Sequence, residues 1–173
     1  MQLTLYHGTN NVAAQQILRE NKYIACKKYI HYLGQGIYFY DNESKAERWI
    51  RIYYSGNGII LKNEILVNNS DVFDMRNHAH RKQAIGIVKD VQSKFVLTKD
   101  TVDDIEYIQR KRCFLYDAIS KETACKLLIG FVVTNNSLWE LSCPEEKELQ
   151  YCVKDASIIK KILYMRNVGV SIV

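Results

Sequence analysis

Runs of β-forming residues at both ends of the chain, with amphipathic helical patterns between them, predict an α+β fold with mainly antiparallel or mixed sheets and peripheral helices. A second observation concerns punctuation. Pro144 is the single proline of 173 residues, so no linker is visible, and the length suffices for one substantial core. The chain reads as a single domain over residues 1–173, with a helical insert around residues 76–125. Internal repeats and low-complexity segments are not apparent.

The elements follow in order. Residues 2–6 (Gln-Leu-Thr-Leu-Tyr) alternate polar and apolar, the period of a half-buried strand, and His7-Gly8-Thr9 follows where that strand would end. Gly8 lacks a Cβ and lets a flat ligand approach the backbone. Asn10 and Asn11 are good caps for the helix that Val12, Ala13, Ile17 and Leu18 suggest, which sets the His7 imidazole on a strand-to-helix turn at a cleft edge. Backbone groups alone can also satisfy a strand-end histidine, and His7 by itself does not decide between the two roles.

Gly34-Gln35-Gly36 is a flexible entry to Ile37-Tyr38-Phe39-Tyr40, a strand rich in aromatic residues. Asp41 or Asn42 then caps a helix in which Ala46, Trp49, Ile50 and Tyr53 recur at helical spacing, while Ser44, Lys45, Glu47, Arg48 and Arg51 are mostly solvated. Trp49 reads as a core residue or as a stacking wall. In the second case Tyr38 and Trp49 face each other across a slot wide enough for a pyridine ring. A Gly-x-Gly alone is weak, and the third glycine of a dinucleotide-binding fingerprint is missing.

Gly58 to Val67 reads as a buried strand with one polar interruption, and Val72-Phe73-Asp74 extends a sheet. From Arg76 to about Val96, Ala79, Ala84, Ile87, Val88 and Val91 recur at roughly helical spacing, and Asp100 to Asp104 starts a second helix. Strand character returns over Leu127 to Thr134 and Leu138 to Leu141, around a hairpin turn at Asn135-Asn136, and again over Glu148 to Lys154 and Ile158 to Met165.

Composition removes several function classes. The formal charge of +5 is modest and spread among Lys27-Lys28, Arg110-Lys111-Arg112 and Lys160-Lys161; where such runs converge beside a cleft they can hold phosphates. Five cysteines (Cys26, Cys113, Cys125, Cys143, Cys152) are scattered and never form Cys-x-x-Cys, which argues against a disulfide framework or a zinc site. His78, His80 and Asp74 lack a second ligand cluster at familiar spacing, so no metal is expected. The absence of a long apolar run or a charged leader predicts no membrane association and a cytoplasmic location.

The order of three segments resembles the His-Tyr-Glu branch of the ADP-ribosyltransferase superfamily, to which poly(ADP-ribose) polymerases and diphtheria-type toxins belong. These are Tyr6-His7-Gly8-Thr9, then Leu33-Gly34-Gln35-Gly36-Ile37-Tyr38-Phe39 with Ser44-Lys45-Ala46 and Trp49 after it, and the late strand Glu148-Leu149-Gln150-Tyr151-Cys152-Val153. The resemblance covers residues 1–66 and 146–166. It implies a split, mainly antiparallel sheet and NAD as substrate, bound by His7, Gly8, Thr9, Gly36, Tyr38 and Trp49. His7 resembles the histidine that binds the adenosine ribose, Gly8 the glycine whose backbone pairs with the nicotinamide carboxamide, and Tyr38 and Trp49 the residues that bracket nicotinamide. Ala46 replaces a serine that contacts the carboxamide in polymerase members, a loss of about 1 kcal/mol.

The catalytic set implied is Gln150, Glu148, His7 and Tyr38. Gln150 stands where the family usually has glutamate. An amide can hold the ribose 2'-hydroxyl but cannot act as a base, which points to mono-ADP-ribosyl transfer or NAD hydrolysis and away from chain formation. Glu148 lies two residues earlier on the same strand face, where its carboxylate can activate an acceptor; it also reads as part of a solvated loop with Glu145 and Glu146. The expected activity is mono-ADP-ribosylation of a protein or nucleic-acid acceptor. A bacterial toxin or phage-defence effector, with an antitoxin or immunity protein as partner, is the biological setting the resemblance suggests. The alternatives are an NAD- or ADP-ribose-binding module without transfer, and a basic nucleic-acid-binding domain.

Overall fold

The computed structural model describes residues 1–25, 31–92, 104–133 and 147–169. Among these, the chain runs β1 (Gln2–Thr9), α1 (Asn11–Glu20), β2 (Ile37–Phe39), α2 (Glu43–Tyr53), β3 (Gly58–Leu66), β4 (Val72–Asp74), α3 (His78–Gln92), α4 (Asp104–Thr123), β5 (Leu127–Val133), β6 (Lys147–Val153) and β7 (Ile159–Val168). The fold is α+β with a three-stranded sheet, β1-β3-β7, and a four-stranded sheet, β2-β6-β5-β4; among the described residues the β4–β5 pair alone is parallel.

The strand and helix patterns account for the local structure. Asn10 and Asn42 cap α1 and α2, their side chains accepting from the Ala13 and Lys45 N–H groups at 2.8 and 3.0 Å. Asn77 does the same for α3, accepting from Ala79 N–H at 2.8 Å. The polar interruption of β3 is resolved by burial. Asn63 accepts from the Tyr23 hydroxyl at 2.8 Å and donates to the Leu5 and Leu61 carbonyls at 3.3 and 3.0 Å, so its amide is satisfied inside the core.

One boundary differs from the sequence reading. His7, Gly8 and Thr9 do not follow β1 but belong to it, paired with Leu61, Ile60 and Ile59. The long central strand β3 supplies ladder partners as far as Thr9, and this pairing overrides the local turn signal of glycine. The Asn135-Asn136 turn, the Leu138–Leu141 strand, Asp100, Glu145 and Glu146, Lys27-Lys28, Cys26 and Cys143 lie outside the described residues.

Three apolar clusters organise the layers. Leu5, Ile37, Phe39, Leu61, Leu127, Tyr151 and Val153 join the inner faces of both sheets under Ala14 and Ile17 of α1. Leu128, Val132 and Cys152 turn to the other face of the four-stranded sheet, with Ala84 of α3 and Ile119 of α4. Ala46 and Ile50 of α2 cover Ile60 and Val168 of the three-stranded sheet, together with Tyr40. Among the described residues the two sheets are joined by one antiparallel bridge, Tyr6–Tyr40, closed by two N–H···O bonds of 2.8 Å.

Candidate functional site

Strand alternation places the polar residues of β6. Leu149, Tyr151 and Val153 enter the core between the sheets, so Glu148, Gln150 and Cys152 face the opposite side. The β2–β6 register sets Tyr38 against Cys152 and Phe39 against Tyr151, which brings Tyr40 beside Gln150. The Gln150 Nε2 donates to the Tyr40 hydroxyl at 3.4 Å. Glu148 and Gln150 are only 7% and 5% exposed. Glu148 is thus a buried strand residue, and the solvated-loop reading does not hold for it.

Glu148 Oε2 receives Arg48 Nη2 of α2 at 2.8 Å, while Glu148 Oε1 is buried and has no hydrogen-bond partner among the described residues. Burial pushes the carboxyl above its ordinary range, and Arg48 draws it back. Tyr40 is likewise pushed up, by burial first and by the neighbouring Glu148 charge second. An amide and a carboxylate therefore share one face, next to the residue whose backbone joins the two sheets.

His7 points into the core between the sheets, with the Tyr23 and Phe39 rings at 5.1 and 5.6 Å. Its Nδ1 lies 2.8 Å from the Tyr38 carbonyl oxygen. A carbonyl only accepts, so this bond assigns the proton to Nδ1. Burial lowers the imidazole pKa, against the weaker pull of the Tyr38 carbonyl. The ring is neutral near neutral pH, and Nε2 is left as an acceptor suited to a hydroxyl.

Gly8 has a different use from the one its lack of a side chain suggests. A Cβ there would stand 2.4 Å from the Ala46 carbonyl oxygen, so α2 occupies the space in front of its Cα. Its strand edge is another matter. Tyr6 sends its N–H and C=O to Tyr40, and the two-residue period turns those of Gly8 to the same edge, beyond the bridge. Thr9, buried at the end of β1, precedes the Asn10 cap.

Tyr38 and Trp49 fall in separate clusters. The Tyr38 ring lies 5.3 Å from His31 and packs with the Leu33 cluster. Its hydroxyl accepts from Leu33 N–H at 2.8 Å and donates to Gly34 O at 2.5 Å, so it anchors the glycine loop. Trp49 lies against Tyr53, the ring centroids 3.8 Å apart and the planes tilted by 33°, and borders the cluster of Tyr40 and Ile50. Gly36 is demanded by packing, since a Cβ would meet Cys152 Sγ at 2.5 Å and Val153 O at 2.8 Å.

Sequence reasoning did not single out Tyr40, Arg48, Lys154 or Asp117 for the site. Lys154 Nζ donates to Leu33 O, Gln35 O and Asp117 Oδ1 at 2.8, 2.7 and 3.0 Å, and Asp117 accepts from Gln35 N–H at 2.7 Å. Only the Arg48 position carried a signal: it follows Lys45 by three residues, so both lie along the flank of α2 beside Trp49. Of His78, His80 and Asp74, for which no metal is expected, His80 has a structural use: its Nδ1 accepts from Asp74 N–H at 2.9 Å and its ring stacks on Phe73. Among the described residues no group of three or more His, Cys, Asp or Glu could hold a metal ion, and no helix is long and apolar enough to cross a membrane. Cys113, Cys125 and Cys152 are buried thiols, and burial pushes that of Cys152 up to about 11.

An uncharacterized protein of Methanocaldococcus jannaschii is 32% identical over 87 residues, 47% of this chain. The match spans 41% of that protein's length. No family model matches the chain, and no solved structure does.

Proposed function

We propose that the chain is an NAD-dependent mono-ADP-ribosyltransferase. The observation that carries this reading is the buried pair Glu148 and Gln150 on one face of β6, beside Tyr40 at the junction of the sheets. Placing two buried polar side chains there opposes folding unless the face has a polar use. The Gly8 strand edge supports the same reading, because one N–H and one C=O complement a primary carboxamide. His7 Nε2, a neutral acceptor, suits a ribose hydroxyl.

In this mechanism the Gln150 amide oxygen accepts from the ribose 2'-hydroxyl as positive charge develops at C1' and the nicotinamide bond breaks. Nicotinamide leaves with the bonding electron pair. The acceptor then bonds to C1', and Glu148 takes its proton. Trp49, resting against Tyr53, offers an aromatic surface on α2, while Tyr38 acts through the glycine loop and its cluster. The acceptor is a protein or a nucleic acid. An intracellular toxin or phage-defence role, restrained by an antitoxin or immunity protein, belongs to the same proposal.

A folded Gln150→Ala protein should release nicotinamide from NAD about ten- to a thousand-fold more slowly than the wild type. Undiminished release would locate the chemistry away from β6. A second reading, an NAD- or ADP-ribose-binding module, is favoured by one observation: the residue beside Tyr40 is an amide and offers no charge to the ribose. NAD binding without nicotinamide release would select it.

A further inference from the structure

We propose that the acceptor is a single-stranded nucleic acid, with Arg112 of α4 holding a phosphate of the strand and with the Tyr32–Arg112 pair and Tyr53 serving as platforms for its bases. The inference rests on the transferase reading and names its acceptor. It starts from the run Arg110-Lys111-Arg112, which the proposed chemistry does not use. Successive side chains on a helix point in different directions, so three cations in a row cannot share one partner. Arg110 turns to Glu106, one turn earlier, and pairs with it. Arg112 turns to the loop that enters β2, where its guanidinium carbon lies 4.1 Å from the centre of the Tyr32 ring.

Both members of that pair are half-buried. The groups acting on the Arg112 charge are the phenols Tyr32, Tyr116 and Tyr38, and burial lowers its pKa without discharging a guanidinium near neutral pH. A planar guanidinium stacks through its face and hydrogen-bonds through its edge. The ring beneath it therefore does not compete with a phosphate at its rim, and an unpaired base can continue the stack.

The pair borders the Gln150 face. Tyr38 is set against Cys152 in the β2–β6 register, and Cys152 follows Gln150 by two residues on the same side of β6. From α2, Tyr53 reaches towards the same place: its hydroxyl acts on Tyr40, whose own hydroxyl meets Gln150, and is in turn acted on by Tyr32. Trp49 covers one side of Tyr53, yet Tyr53 stays 58% exposed. An aromatic ring left open at the rim, a stacked cation across from it and a net charge of +5 complement an anionic strand whose every base has a π-face. A duplex keeps its bases stacked on one another, so a single strand alone can use both platforms.

Fluorescence anisotropy on the full chain, without NAD, tests this with a short labelled oligonucleotide presented as single-stranded RNA, single-stranded DNA and duplex. The single strands should bind, and the duplex more weakly. Tyr53→Ala, at an exposed ring, should weaken single-strand binding about five- to a hundred-fold. Arg112→Gln should lower the slope of log affinity against log salt by about 0.7, the loss of one phosphate contact, and Arg112→Lys should restore it. A merely structural role for Arg112 would leave that slope alone. Failure of the wild type to bind single strands overturns the proposal. Equal binding of the duplex, or wild-type affinity in Tyr53→Ala, overturns the platforms, and an unchanged slope in Arg112→Gln overturns the phosphate contact. NAD titration of Arg112→Gln examines the other source of phosphate: weaker NAD binding with intact oligonucleotide binding assigns Arg112 to the NAD pyrophosphate and overturns its role towards the strand. Nicotinamide release is measured separately. Release without strand binding leaves the transferase standing and removes this acceptor, while strand binding without release overturns the transferase reading and, with it, the strand's role as acceptor.

Discussion

At the scale of single residues, the site is built from groups whose ordinary behaviour is altered by burial. His7 is the clearest case for pH. Its folded pKa lies below the ordinary 6.5, so the unfolded chain takes up a proton that the native site refuses. The stability contributed by neutral His7 is complete above the unfolded value and is lost as pH falls through the folded one. The urea midpoint of the wild type should therefore fall between about pH 7 and about pH 5, and fall less in His7→Phe. Parallel profiles for the two proteins would show that His7 does not titrate there. Tyr38 offers a second test. Its hydroxyl serves Leu33 N–H and Gly34 O together, so Tyr38→Phe should cost about 1 to 3 kcal/mol in denaturant unfolding. A neutral substitution would mean that water replaces the hydroxyl without loss.

At the scale of elements, α2 and the glycine loop determine whether the site is assembled. The Asn42 cap starts α2, and Arg166 of β7 bonds Glu43 and Glu47, holding the helix that carries Arg48 and Trp49 against the three-stranded sheet. Arg51 also bonds Glu47, at 2.6 Å, which makes the anchor a network and not an isolated surface pair. The loop entering β2 has its own clamp. Gly34 has φ of 81°, and a Cβ there would stand 2.2 Å from Asp117 Oδ1, so the backbone turns directly under the Lys154–Asp117 pair. Lys154→Met would leave two carbonyls and Asp117 without their ammonium, at a cost of about 2 to 4 kcal/mol. Calorimetry should show the lower melting temperature and NAD titration the weaker binding. A melting temperature equal to the wild type would remove the clamp from the account.

At the scale of the molecule, the two sheets, α2 and the β1 edge depend on one another. Gly8 and Gly58 both allow α2 and β1 to close up: a Cβ on Gly58 would meet Thr9 O at 2.4 Å and Ile50 at 2.8 Å, and one on Gly8 would meet Ala46 O at 2.4 Å. Backbone cannot step aside as a flexible side chain can. Gly8→Ala should therefore displace α2, cost about 1 to 3 kcal/mol and reduce NAD affinity, measured by chemical denaturation and calorimetric titration. Wild-type stability in this variant would show that the helix shifts freely, and that its distance from β1 is not what shapes the site.

The sequence by itself determined the α+β class, helix starts capped at Asn10 or Asn11 and at Asp41 or Asn42, and the pairing potential of the strands, because periodicity and capping are local properties; Asn10 and Asn42 are the caps observed. It also put Glu148 and Gln150 on one strand face, since alternation has a fixed period of two. Tertiary structure alone decided the rest. That β1 runs through His7 to Thr9 depends on ladder partners in β3, which lie fifty or more residues further along the chain. Arg48 reads as a solvated helix charge until α2 is laid beside β6, where its guanidinium meets a carboxylate one hundred residues away in sequence. Tyr38 on a strand and Trp49 on the next helix read as facing walls, yet the Tyr38 hydroxyl holds the glycine loop and Trp49 rests on Tyr53. Which groups meet across the fold depends on how sheets and helices stack, and that packing is a property of the whole chain that no local pattern encodes.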